Sequence, residues 1–423
     1  MKPILTSLLC ALLAGQVLAQ DKPDAEKRIA DLERRLDAMS RELEAQKTGA
    51  AAPAESNEGA FGMGASAAKV YRVGSGLSVG GYGEFLYENK AATLQDGTHA
   101  GAEKKVDALR MVLYTGYKFS DSIVFNSEFE WEHGGYSDLS PEGEAIVEFA
   151  YLDFLFTKAF NVRAGMMLVP MGFINELHEP PAFLGARRPL VESEGGILPT
   201  TWNENGVGVH GNLAGHLSYR VYLMNGLNGA KFSANGISDG RQMGKEANAQ
   251  SLAWTGRLDW TPQPGLLVGA SAYRGNSNQT GTGEALITTV WDAHAEFRAR
   301  GFQVRGLYTR LTNSEAQLRT LGGADPAREV GTRQWGGYLE AGYDILAGGR
   351  SSLVPFVRWE RLNAQQAVIP GVTPLGETDQ TVLTVGANFR PIPHVAVKAD
   401  AQTFRNAART GRDQVNLALG FYF

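Results

Sequence analysis

The chain has a single cysteine in 423 residues, Cys10. It lies in an apolar N-terminal run, so the rest of the sequence offers no disulfide, thiol nucleophile or thiolate metal ligand. An excess of one charge sign is also missing. Forty Lys and Arg stand against 45 Asp and Glu, a net charge of −5, which gives no basic field to attract nucleic acid. Past the N-terminus no window reaches 18 apolar residues, which excludes membrane-spanning helices. The seven histidines have no metal-ligand spacing, and neither G-x-S-x-G nor H-E-x-x-H occurs. Gly206, Gly208 and Gly211 fit G-x-G-x-x-G by letter only, because they lie in a strand-like run with no helix after it. These absences lead us to expect no enzyme activity, no cofactor and no metal.

What is present is unevenly distributed. Glycine supplies 51 of the 423 residues, well above a usual level of about 7%, alongside 7 Trp, 14 Tyr and 19 Phe. Lys2, an apolar run over 4–18 and the small-residue end Val17-Leu18-Ala19 read as a signal peptide, 1–19. In 20–47 the apolar residues Ile29, Leu32, Leu36, Met39 and Leu43 alternate in steps of three and four. That is the seam of a coiled coil about three heptads long. Arg28 can meet Glu33 of a neighbouring chain, and Glu42 can meet Lys47. A helix this short is marginal alone and is expected to form only where the chains are already held together, so these five residues are trimerisation candidates. The other reading, an amphipathic helix lying on its own domain, stays open. Residues 48–76, rich in Ala, Gly, Ser and Glu, read as a flexible linker.

From 77 to 423 strand-like runs of about ten residues recur, and we count sixteen. Short turns at 120–121, 158–159, 214–215, 262–264, 299–301, 346–350 and 391–394 alternate with long loops, among them 90–106, 170–201, 226–250 and 312–333. A transmembrane barrel needs this asymmetry, with tight periplasmic turns and long outer loops. An even strand number puts both barrel ends, and the N-terminal segment, on the periplasmic side. Parity agrees. Leu252, Trp254, Leu258 and Trp260 oppose Thr255, Arg257 and Asp259, and Phe125, Phe129 and Trp131 oppose Asn126, Glu128 and Glu130. That fits a lipid-facing outside and a wet inside. Glu148 and Arg274 break the pattern near their strands' outer ends, as expected beyond the bilayer or next to a bulge. A soluble β-propeller would need four strands per repeat and a blade signature, and neither occurs.

The run GGYGEFLY at 80–87, the hairpin at 106–133 and the terminal FYF resemble the outer-membrane porins. Within them the chain is similar to the phosphate-selective porin O/P-like group and to coiled-coil-bearing trimeric porins. The resemblance implies sixteen strands, a homotrimer, passive diffusion of small hydrophilic solutes, outer-membrane lipid around the barrel, and a C-terminal aromatic, Phe423, read by the barrel assembly machinery. Phosphate selectivity is not carried over, since the chain has no dense lysine cluster. In porins the loop after the fifth strand narrows the barrel. Its positional counterpart is 170–201, with Glu176, His178, Glu179, Arg187, Arg188, Glu192 and Glu194. A loop of this length without strand pattern is unusual unless functional.

Arg187 and Arg188 suit an anion, or else pair with the loop's own glutamates and pin it to the wall. Parity places Arg110, Arg163, Arg220, Arg257, Arg298, Arg305 and Arg358 inside, with Glu84, Glu128, Glu130, Asp153, Asp259, Glu296 and Glu360. Charged rings select ions where little water screens them. The expectation is an all-β, sixteen-stranded antiparallel barrel in the bacterial outer membrane, with a short periplasmic coiled coil. It would act as a porin with a charged constriction and a mild preference for small anions. The alternative is a non-conducting anchor or adhesin, whose loops would close the lumen completely.

Overall fold

The computed structural model describes residues 61–135, 143–213, 216–315, 318 and 330–423. The signal peptide and the heptad residues Ile29, Leu32, Leu36, Met39 and Leu43 lie outside the described residues. Sixteen strands follow one another: β1 (Gly76–Lys90), β2 (Glu103–Ser120), β3 (Ile123–Glu132), β4 (Glu144–Leu155), β5 (Asn161–Leu168), β6 (Asn203–Leu213), β7 (Leu217–Asn225) and β8 (Leu252–Gln263). The second half is β9 (Leu266–Asn276), β10 (Ile287–Ala299), β11 (Phe302–Asn313), β12 (Arg333–Tyr343), β13 (Ser352–Ala367), β14 (Asp379–Ile392), β15 (Val395–Asn406) and β16 (Gln414–Tyr422). Each pairs antiparallel with its sequence neighbours, and β1 pairs with β16, so the sheet is a closed barrel. Closure leaves no edge strand with unpaired backbone groups. At the seam Gly81 N donates to Phe423 O at 3.1 Å, and Phe423 N returns a bond to Gly81 O at 2.9 Å.

The alternation in the sequence becomes two unlike faces. Met111, Phe129, Trp131, Trp254, Trp260, Leu339, Trp359, Leu417 and Leu419 point outward and are exposed, while Arg110, Glu128, Glu130, Arg257, Asp259, Arg358 and Asn416 point inward and are buried. An apolar band of this extent around a barrel matches a lipid-facing surface. The bulge expected near Glu148 is present. The register of β3 on β4 shifts between Glu128 and Phe129, which turns Glu148 inward, where Asn203 Nδ2 donates to it at 2.7 Å. Arg274 stays outside near the long-loop end of β9 and donates to Thr289 Oγ1 at 2.9 Å. Two strands run further than their hydrophobic pattern. β2 begins at Glu103 because Lys90 pairs with it in register and by a 3.2 Å ion pair, and β13 continues to Ala367.

The lumen is not simply wet. An apolar core forms inside the barrel, between inward residues such as Tyr82, Tyr114, Phe149, Tyr273 and Leu307 and the loop residues Met171, Phe173, Ile174, Val191 and Leu198. Residues 61–71, within the stretch expected as linker, pack inside the barrel. Residues Ala67–Tyr71 form a 3-10 turn, and Met63, Ser66, Ala67, Ala68 and Val70 are buried against the inner wall. Ala and Ser in this stretch are small enough to pack rather than merely soluble. Room is made where side chains are missing. A Cβ on Gly116 of β2 would come within 2.6 Å of Val70 Cγ2.

Candidate functional site in the barrel lumen

The connection between β5 and β6, residues 169–202, folds into the barrel and reaches its far wall. At its root Asn175 Nδ2 donates to Val169 O at 2.7 Å and to Trp202 O at 2.8 Å, and Trp202 N donates to Asn175 Oδ1 at 2.6 Å. One asparagine thus closes the loop's neck. Gly172, at φ +63°, turns the chain where a Cβ would collide with Glu192, so only glycine fits. Glu192 then accepts from Ile174 N at 3.0 Å and from Tyr338 Oη at 2.6 Å. Burial pushes its carboxyl above the usual range despite those donors.

Opposite the root, β13 to β16 hold the tip. Lys398 of β15 donates to Pro180 O at 2.7 Å and Gly185 O at 2.9 Å, with its ammonium 3.6 Å from the Phe183 ring centroid. Ala186 N donates to Asp400 at 2.6 Å, and Asn388 Nδ2 donates to Phe183 O and Leu184 O. A buried ammonium without a carboxylate contact is costly unless its donors are filled, and here two loop carbonyls and a ring fill them.

The candidate charges are largely cross-linked. Arg110 meets Glu84 at 3.3 Å, Glu130 at 3.0 Å and Glu132 at 2.8 Å. Arg163 meets Asp153 at 2.9 Å, which also accepts from His210 at 2.7 Å. Glu176 of the loop meets Arg220 at 3.2 Å and Arg257 at 3.9 Å, and both arginines share Asp259, at 3.1 and 2.7 Å. His294 stands between Asp259 and Asp292 at 2.9 and 2.6 Å. Arg358 bridges Glu340 at 3.1 Å and Glu360 at 2.8 Å. Such pairs hold shape more than they add stability.

His178 and Glu179 form the latch of the site. His178 Nε2 donates to Glu128 at 3.0 Å and Nδ1 faces Asn175 O at 3.0 Å. Burial works against the imidazolium, yet the Glu128 carboxylate outweighs it, so His178 holds its proton above the ordinary histidine range. Glu179 Oε1 accepts from Ser66 N at 2.9 Å and Ala67 N at 3.2 Å, which fastens the N-terminal segment to the loop. Burial pushes its carboxyl up to about 7. The segment is also tied by Ser66 Oγ to Phe423 O at 2.5 Å, by Asn126 Nδ2 to Ala67 O at 2.9 Å and by Tyr71 Oη to Asp153 at 2.7 Å.

A curated relative places the chain among known sequences. An uncharacterized protein of Aquifex aeolicus (strain VF5) is 36% identical over 351 residues, spanning 80% of this chain and 78% of that protein. The chain belongs to its family. No family model matches the sequence. Among solved structures the barrel is similar to the anion-selective porin from Comamonas acidovorans, with a TM-score of 0.53, 11% identity, and coverage of 82% of this chain and all of that one. It is also similar to Salmonella typhi OmpF in complex with daunomycin, with a TM-score of 0.57, 13% identity, and coverage of 83% and 98%. At these identities the likeness establishes the porin-like barrel fold.

Within this family member, the residues singled out by sequence fall into three groups. Arg110, Arg163, Arg220, Arg257, Glu128, Glu130, Glu176 and Glu179 all lie inside the barrel and are buried. Arg187 and Arg188 depart from the expected pairing with the loop's own glutamates. Arg187 meets Glu88 of β1 at 2.6 Å, and Arg188 donates to Thr200 Oγ1 at 3.4 Å, because the loop's buried glutamates face Arg220, the N-terminal segment and Tyr338. Phe423 is half exposed, with its backbone in the seam. Sequence reasoning missed Lys398, Asn175 and the segment 61–71. The loop's own apolar residues were the available signal, since a solvated outer loop has no use for Met171, Phe173, Ile174, Val191, Ile197 and Leu198. Among the described residues no group of His, Cys, Asp and Glu has a metal-binding arrangement.

Proposed function

We propose that this chain is an outer-membrane porin. Small hydrophilic solutes and ions diffuse through a lumen narrowed by 169–202, and the barrel sits in outer-membrane lipid with its N-terminus in the periplasm. The observation that carries the reading is a closed sixteen-stranded barrel, apolar outside and charged inside, with one long loop folded across its bore. The finer parts rest on sequence and on analogy. Residues 29–43 would bring three chains together, Phe423 would be read by the barrel assembly machinery, and the likeness to the phosphate-selective porin O/P-like group would extend to architecture rather than to phosphate.

The constriction would be lined by the loop and by Arg110, Arg163, Arg220, Arg257, Glu128 and Glu130. We assign it a mild preference for small anions, because Arg298, Arg305 and Arg390 line the short-turn end, and the Comamonas protein of similar fold is an anion-selective porin. The charge-rich wall of β3 opposes that preference. Reversal potential under a salt gradient tests it. An anion-selective potential supports the assignment, and a cation-selective one moves the selective group to Glu128 and Glu130. One observation favours the anchor reading: nearly all of 169–202 and the packed part of 61–71 is buried. Reconstituted liposomes that take up no small sugar or ion would establish it.

A further inference from the structure

A cavity of about 370 Å³ opens beside the short turns at 216 and 264–265, beneath the constriction loop. Its walls are of two kinds. Phe173 and Leu177 of the loop and Leu267 of β9 form an apolar side, and Arg298 and Arg305 form a cationic one. A narrow crevice shares those two arginines and adds Arg390 and Glu340. The charges do not cancel. Glu296 serves both Arg298, at 2.9 Å, and Arg305, whose Nε donates to it at 2.6 Å. Glu340 is taken by Arg358. Arg390 has no carboxylate at ion-pair distance among the described residues, and its Nε donates only to Asn388 Oδ1 at 3.3 Å.

Arg298 and Arg305 share the one carboxylate of Glu296, so the cavity wall itself keeps one positive charge facing its apolar side, which selects for a single negative charge carried on a hydrocarbon body. A phosphate or sulfate dianion would gain little from Phe173, Leu177 and Leu267, and a sugar would gain little from the charge on Arg298 and Arg305. A cavity of this volume falls in the roughly 300–1,000 Å³ range of small-molecule sites, where a few polar groups orient a mostly apolar ligand. Arginine's planar fork suits a carboxylate. We propose that this vestibule is a binding site for small amphipathic monocarboxylates, one per barrel, with the carboxylate at Arg298 and Arg305 and the hydrocarbon against Leu177 and Leu267. It rests on the porin reading, since it names a solute class for the same lumen.

The test measures block of potassium chloride current in planar bilayers by hexanoate, acetate and hexylammonium. Hexanoate should half-block at a concentration about tenfold or more below acetate, because each buried methylene adds roughly fourfold in affinity, and hexylammonium should be the weaker blocker. Arg298→Gln should raise the hexanoate value about tenfold, and Leu267→Asn should erase its advantage over acetate. A heat-modified gel shift verifies that both variants fold, and Leu177→Ser replaces either one that does not. Equal block by hexanoate and acetate, or block unaltered by the variants, overturns the proposal. If no current is seen at all, the channel reading fails separately. Equilibrium dialysis of labelled hexanoate against the nanodisc-embedded protein then decides the site. One saturable site lost in Arg298→Gln upholds it, and the absence of saturable binding ends it.

Discussion

Two segments lie inside this barrel, and they are fastened by different means. The loop 169–202 is held by ions: Lys398 on its carbonyls, Asp400 and Asp292 on its amides, and Arg220 and Arg257 on Glu176. The segment 61–71 is held through its own uncharged groups: the Ser66 hydroxyl on the Phe423 carbonyl, the Tyr71 hydroxyl on Asp153, and the Ser66 and Ala67 amides on Glu179. Pulling out the loop would strand buried charges on the wall. Pulling out the segment would expose a few apolar side chains and free a carboxyl that already tends to keep its proton. The loop is therefore part of the wall, and the segment is a detachable lining.

The largest test of that contrast removes a shared anion. Asp259→Ala should destabilise the barrel by about 3–5 kcal/mol, because Arg220, Arg257 and His294 would lose their common carboxylate in a buried site. Urea unfolding followed by gel mobility reads it, and a loss under 1 kcal/mol would mean that lumen water screens these pairs. Lys398→Met is smaller and local. It should cost about 1–3 kcal/mol by leaving two loop carbonyls unmet, seen as faster hydrogen exchange over 180–186 with the strands unchanged. Unaltered exchange there would mean that the tip is held from elsewhere.

The segment should respond to space rather than charge. Gly116→Val collides with Val70 and should lift the segment while leaving barrel stability within about 1 kcal/mol. A cysteine placed at Val70 would then be labelled readily in that background and slowly without it. Equal labelling in both would contradict the docking. The smallest effect is the pH dependence of Glu179. Its carboxyl keeps the proton up to about 7 when docked and loses it in the ordinary glutamate range, near 4.3, when free. Docking is thus favoured at low pH and weakens as pH rises through that window. Corrected exchange at the Ser66 and Ala67 amides should quicken on the order of tenfold between pH 5 and 8, and Glu179→Gln should abolish the change.

The wall was legible in the sequence because lipid and lumen demand opposite residues at a period of two, and residues such as Trp254, Arg257 and Trp260 carry that period without ambiguity. Strand ends were less so. Beyond the apolar band the pattern stops while the ladder continues, as at Glu103 and Ala367. The long fifth connection declared itself by length and position. Its fastening did not, since Lys398 looks like any inward polar residue until Pro180 and Gly185 are seen beneath it. Segment 61–71 has the composition of a linker, because Ala, Gly and Ser serve a tight docking as well as they serve flexibility. The glycines facing it on the wall, Gly80 against Ser66 and Gly116 against Val70, distinguish the two, and nothing local in the sequence connects those positions to the segment.

Single-channel recording of the full chain beside a variant lacking 61–71 tests the central claim most directly. The account predicts discrete conductance steps for both proteins, larger without the segment, and a salt-gradient reversal of the same sign in each because the loop remains in place. Silence from both proteins in bilayers, with correctly folded barrels on gels, would contradict it and leave the barrel an anchor.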